Sequence, residues 1–111
     1  MDQFFCYVHD LRKSVEIISK RWTVLVIHQL FFWSAAFFCA IESALPISGR
    51  VLSERLKDLE LEGIVKRQVF PETPVRIEYS LTDKGRSLQP VIAELEKWSH
   101  DWVKIDETAT D

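Results

Sequence analysis

The chain has 111 residues, a formal net charge of −3 and an apolar fraction of 47%. That length can bury one hydrophobic core but not two, and that apolar fraction excludes an intrinsically disordered chain. Two cysteines without regular spacing make neither a disulfide framework nor a zinc site.

The N-terminus MDQFFCYVHD starts acidic and lacks a small-residue cleavage site, so no export signal is expected. With so few cysteines, a reducing cytoplasm is the expected compartment. One domain is expected over residues 1–111, with a core at about 6–105 and a frayed tail at 106–111. Phe4 to about Lys20 reads as a first helix, with Leu11, Val15 and Ile18 on one stripe. Trp22 to Leu30 is predicted as a second. Phe31 to Ala40 (FFWSAAFFCA) is expected as a short apolar connection in which Cys39 is a small hydrophobe. Ala40 to Leu45 would be a third helix, ending before Pro46.

Ile47 to Thr82 holds the densest signal: an amphipathic helix running straight into a hairpin. Ser48 is a suitable N-cap, because its hydroxyl can accept from a free first-turn N–H. Leu52, Leu56 and Leu59 lie on one face and point at a core. Gly63 is a natural stop, since glycine tolerates the left-handed cap conformation. Arg50, Ser53, Glu54 and Lys57 occupy the opposite face. Such side chains suit phosphates and base edges, and equally suit a solvated surface.

Ile64–Val69 and Val75–Ser80 read as strands, with Phe70–Pro74 as the loop between them. Lys66, Arg67 and Arg76 on these strands can track a phosphate backbone, or act as edge charges against aggregation. A groove-sized helix followed by a basic hairpin is the layout of a winged helix-turn-helix. The fold class expected is therefore α+β, mainly α, with double-stranded DNA as partner.

Thr82 can cap a last helix, with Asp83 in its first turn and Gly85 as an entry residue beside Lys84. Leu88, Val91, Ile92, Leu95, Trp98, Trp102 and Ile105 form its apolar stripe, and Pro90 delays or bends its start. A stripe that wide on a terminal helix calls for a partner surface. The dimer interface is placed at Leu88, Val91, Leu95, Trp98 and Trp102, together with the N-terminal helix. Packing within one subunit is the competing account.

Residues 50–86 carry 8 basic and 7 acidic side chains, whereas 87–111 carry 2 basic and 6 acidic. The acidic excess thus lies away from the proposed reading head. His9, His28 and His100 stand at no recognisable catalytic or metal-ligand spacing, and Gly49, Gly63 and Gly85 form no phosphate loop. No enzyme, cofactor or metal is expected. The alternative function is a small membrane-associated or apolar-ligand-binding protein using segment 31–40. Trp22–Ile41 is 20 residues without a formal charge, the length of a span, although His28 and Gln29 in mid-segment oppose insertion.

VLSERLKDLELEGIVKR, PETPVRIEYSLTDKGRSL and a tryptophan in a C-terminal helix resemble the HxlR-type branch of the MarR-like winged-helix transcriptional regulators. The resemblance runs from about Cys6 to Trp102 and is densest from Arg50 to Leu88. It implies a small bacterial homodimer on a palindromic operator. Some members sense oxidants or electrophiles through a cysteine near the N-terminus, and Cys6 matches that position. Tyr7 stands where those relatives have proline. Nearby Arg12 and Lys13 would favour the reactive thiolate, while an inert, partly buried thiol is the plain alternative. Segment 31–40 departs from the family, which has a glycine and basic residues there, so no DNA role carries over to it. Neither the resemblance nor the residues name a small-molecule effector.

Overall fold

The computed structural model describes the backbone of residues 2–103 and the side chains of residues 8–103. Its elements are α1 (Asp2–Ile18), α2 (Thr23–Leu30), β1 (Ala36–Phe37), α3 (Phe38–Ala44), α4 (Gly49–Leu61), β2 (Val65–Phe70), β3 (Arg76–Leu81), α5 (Asp83–Arg86) and α6 (Gln89–Trp102). The three strands form one antiparallel sheet in the order β1-β3-β2. Helices dominate and the sheet supplies the wing, as the sequence predicted.

The core follows from the apolar spacing. Val26, Ile27 and Leu30 of α2, Ile41 of α3 and Leu52, Leu56 and Leu59 of α4 meet Ile64, Val65 and Leu81 at the root of the sheet, and Ile92 of α6 closes it. Leu52, Leu56 and Leu59 of α4 are at most 2% exposed, so the helix is fixed by one buried face and offers the other.

Both ends of α4 are built as expected. The Val51 N–H donates to Ser48 Oγ at 3.2 Å. At the other end Gly63 has φ +76°. Its N–H donates to the Glu60 carbonyl at 3.0 Å and the Ile64 N–H to the Leu59 carbonyl at 2.9 Å. These two bonds define a Schellman cap, which turns the chain directly into β2.

Three elements differ from expectation. First, the 31–40 segment is not a plain connection: Ala36 and Phe37 pair with Tyr79 and Glu78 as a third strand, and α3 begins at Phe38 rather than Ala40. Alanine is a weak strand former, so β1 exists because β3 offers it a free edge. Second, the final helix is two helices. Thr82 caps α5, and Pro90 in the first turn of α6 has no N–H for the preceding turn, so the chain restarts there. Third, Trp22 is not helical but precedes α2 with φ 77°, and its ring packs against the core with Arg21 5.1 Å from the centroid.

No described helix is long and apolar enough to cross a membrane. The uncharged run Trp22–Ile41 is divided among α2, a turn, β1 and α3, and Phe31, Trp33 and Phe38 pack against the core. Its aromatic residues are thus mostly spent on folding, which removes the span as an account of them.

Thr82 joins three elements. Its hydroxyl donates to the Gly63 carbonyl at 2.6 Å, with the Ile64 carbonyl 3.1 Å away, and accepts from the Gly85 N–H at 3.1 Å. Lys84 Nζ adds a 2.6 Å bond to the Glu62 carbonyl, a cation at the C-terminal end of α4. Gly85 is buried, and not merely a helix entry: a Cβ there would collide with the Ile64 carbonyl and Leu81. The end of α4, the wing root and α5 therefore meet backbone against backbone.

Candidate nucleic-acid interface

Burying Leu52, Leu56 and Leu59 forces Arg50, Ser53, Glu54 and Lys57 outward, and all four are exposed. Arg50 Nε lies 3.6 Å from Glu54 Oε1 one turn on. Ser48 is exposed at the front of the helix, with its oxygen engaged in the cap.

The wing's basic residues fall on different faces. Successive strand residues alternate, and register pairs share a face. Arg67 opposes Tyr79, on the face that also holds Val65 and Leu81 and looks toward α4. Lys66 opposes Ser80 and Arg76 opposes Phe70, on the other face. A concavity of about 310 Å³ lies between helix and wing, lined by Ser53, Lys57, Glu60, Arg67 and Tyr79. The fold thus brings Ser53, Lys57 and Arg67 together, leaves Arg50 and Glu54 further along α4, and sets Lys66 and Arg76 on the outer side of the wing. Among the described residues, Lys57, Lys66 and Arg67 have no carboxylate within ion-pair distance, unlike Arg76, which faces Glu72 and Glu78.

Residues not singled out in the sequence shape this surface. Arg55 Nε donates to the Arg21 carbonyl at 3.0 Å, and its Nη1 and Lys20 Nζ both reach Asp58 Oδ2 at 3.1 Å. These bonds fasten α4 to the turn between α1 and α2 and set its angle. The Arg55–Asp58 spacing of one turn was the only trace of this in the sequence. Tyr79 and Glu60 line the concavity and became visible only once strand register was known.

A second surface is apolar. On α1, Val8, Leu11 and Val15 are exposed, and on α6 so are Val91, Leu95, Trp98 and Trp102. Trp98 and Trp102 are 56% and 73% exposed, which sets aside packing within the subunit as their role. Leu88 is half-buried against the core and Ile92 points inward. α6 is tied to α2 by His28 Nε2 and Glu96 Oε1, 2.7 Å apart. Ile105 and the tail at 106–111 lie outside the described residues.

Cys6 falls within α1, and its side chain lies outside the described residues. Cys39, expected as a small hydrophobe, is exposed near the start of α3, where Phe38 and Ile41 take the inward positions of that short helix. No group of His, Cys, Asp or Glu among the described residues could hold a metal ion.

Known proteins share this architecture. The model of the HxlR-like helix-turn-helix family matches residues 17–107. YvaP of Bacillus subtilis (strain 168), an uncharacterized HTH-type transcriptional regulator, is 62% identical over 92 residues, which are 82% of this chain and 84% of YvaP. The HTH-type transcriptional regulator YodB of the same organism is 40% identical over 98 residues, 88% of each chain. The solved reduced form of YodB has a TM-score of 0.75 at 41% identity, covering 86% of this chain and 93% of YodB. YodB has also been solved diamide-treated and quinone-bound. The redox regulator HypR, in its reduced form, has a TM-score of 0.78 at 28% identity over 83% of this chain and 91% of HypR. With a recognition helix, a three-stranded wing and a family match over most of its length, this chain belongs to the HxlR-like helix-turn-helix family of DNA-binding transcriptional regulators, and it is not an enzyme.

Proposed function

We propose that the protein regulates transcription in the cytoplasm as a homodimer on a palindromic operator. Ser48, Arg50, Ser53, Glu54 and Lys57 enter the major groove, and Lys66, Arg67 and Arg76 face the phosphate backbone. The observation that carries this reading is the concavity shared by Ser53, Lys57 and Arg67, where a groove-reading helix and a wing cation face one volume. Two copies joined through Val8, Leu11 and Val15 of α1 and Leu88, Val91, Leu95, Trp98 and Trp102 of α6 would cover the exposed apolar stripes. They would also set two recognition helices about 34 Å apart, one turn of DNA.

The test is an electrophoretic shift with the DNA upstream of the protein's own gene, over a range of salt. Arg67→Ala is expected to weaken binding to all sequences alike and to lower the slope of log K against log salt by about 0.9, as loss of one phosphate contact does. An unchanged slope removes Arg67 from the interface.

A second reading concerns control. YodB in diamide-treated and quinone-bound forms supports a thiol response, and Cys6 is the residue we assign it to. Oxidation that joins or modifies the N-terminal segments of two subunits would alter the spacing of the two reading heads.

A further inference from the structure

Arg76 closes the β2–β3 ladder opposite Phe70, at the tip of the wing. Its guanidinium carbon sits 4.1 Å from the centre of the Phe70 ring. Glu72 Oε1 lies 3.5 Å from Nη2 and Glu78 Oε1 lies 3.7 Å from Nε. Both distances exceed a charge-assisted hydrogen bond, and Nε is buried with no hydrogen-bond partner. The side chain is therefore held by ring stacking and Coulomb attraction alone, with the Nε donor left unsatisfied.

We propose that Glu72 and Glu78 limit the DNA affinity of the wing by restraining Arg76, which becomes a phosphate contact only when the backbone displaces the two carboxylates. The proposal rests on the DNA-binding reading above. A partly exposed ion pair at these separations is weak, because solvent screens it. A phosphate offers the guanidinium two parallel hydrogen bonds of about 2.8 Å through its terminal nitrogens. The exchange is thus favourable but costs the wing part of its gain. Glu72 lies in the exposed tip loop and moves aside more readily than Glu78, whose side chain is 25% exposed on β3. Lys66 and Arg67 carry no such restraint among the described residues, so the wing holds two ready cations and one withheld.

The experiment measures binding of a random-sequence DNA duplex against salt for four proteins: the parent, Glu72→Gln/Glu78→Gln, Arg76→Met, and the triple variant. Removing the carboxylates is expected to tighten binding about fivefold and to steepen the salt slope by about 0.9, the signature of one added contact. In the Arg76→Met background the same two changes should give little, because their effect acts through Arg76. An equal gain in both backgrounds overturns the proposal, since it would reflect general loss of negative charge. No gain in either also overturns it. Glu72→Gln alone, in an exposed loop, serves should the double variant fold poorly, and the same comparison then applies to it. A parent that binds neither this duplex nor the DNA upstream of its own gene would overturn the DNA-binding reading instead.

Discussion

Replacing Thr82 with valine removes one oxygen and keeps the branched shape of the side chain. That oxygen makes a 2.6 Å bond to the Gly63 carbonyl and accepts the Gly85 N–H at 3.1 Å. The longer contact to the Ile64 carbonyl shares the same hydrogen and adds little. A net hydrogen bond is worth about 1 kcal/mol, and so is loss of an N-cap. Thr82 is half-buried, so water replaces part of what is lost, and the total comes to about 2 kcal/mol. For a domain near this size that lowers Tm by roughly 10 °C. Calorimetry at fixed protein concentration measures it, since a dimer's Tm depends on concentration. Serine should recover most of the loss. A drop for Thr82→Val of under about 0.5 kcal/mol would mean the hydroxyl does not hold the wing root to α4, and the reasoning would fail.

Three further outcomes follow from the same geometry. Gly85→Ala places a methyl against the Ile64 carbonyl, which cannot swing aside as a side chain does; a loss of about 2 kcal/mol or more is expected in chemical denaturation. Trp98→Ala with Trp102→Ala should leave the subunit folded, because both rings are mostly exposed, but weaken a dimer by about 2 kcal/mol per ring. Sedimentation that still shows an equally tight dimer moves the interface elsewhere. Diamide should change DNA affinity in the parent and not in Cys6→Ser; an identical response in both excludes Cys6 as the switch.

The recognition helix and the hairpin were legible because periodicity and punctuation agree there. Leu52, Leu56 and Leu59 repeat at helical spacing between Ser48 and Gly63, and Pro71 and Pro74 bound the wing tip. β1 was not legible: Ala36 and Phe37 become a strand only through the free edge of β3, whose Tyr79 and Glu78 lie far along the chain from any local signal. The division of the last helix was half legible in Pro90. The surface residues were visible as types but not as groups. Strand register puts Arg67 with the recognition helix and Arg76 with Glu72 and Glu78, and register is a tertiary property.

α1 carries one more consequence. It is 17 residues long, and among its described side chains those from Val8 to Glu16 are exposed and only Ile17 and Ile18 are partly covered. A helix of that length standing free in water is marginal, because nucleation is costly and each turn contributes little without a packed face. Its helicity is then set by whatever covers Val8, Leu11 and Val15. If a second subunit does so, dilution melts α1 while the winged body stays folded. Circular dichroism would report two transitions, one moving with protein concentration and one fixed. Cys6 lies on α1, so if it is the switch proposed above, the backbone that carries it would order and melt with the amount of protein in the cell, and chemical sensing and self-counting would share one helix.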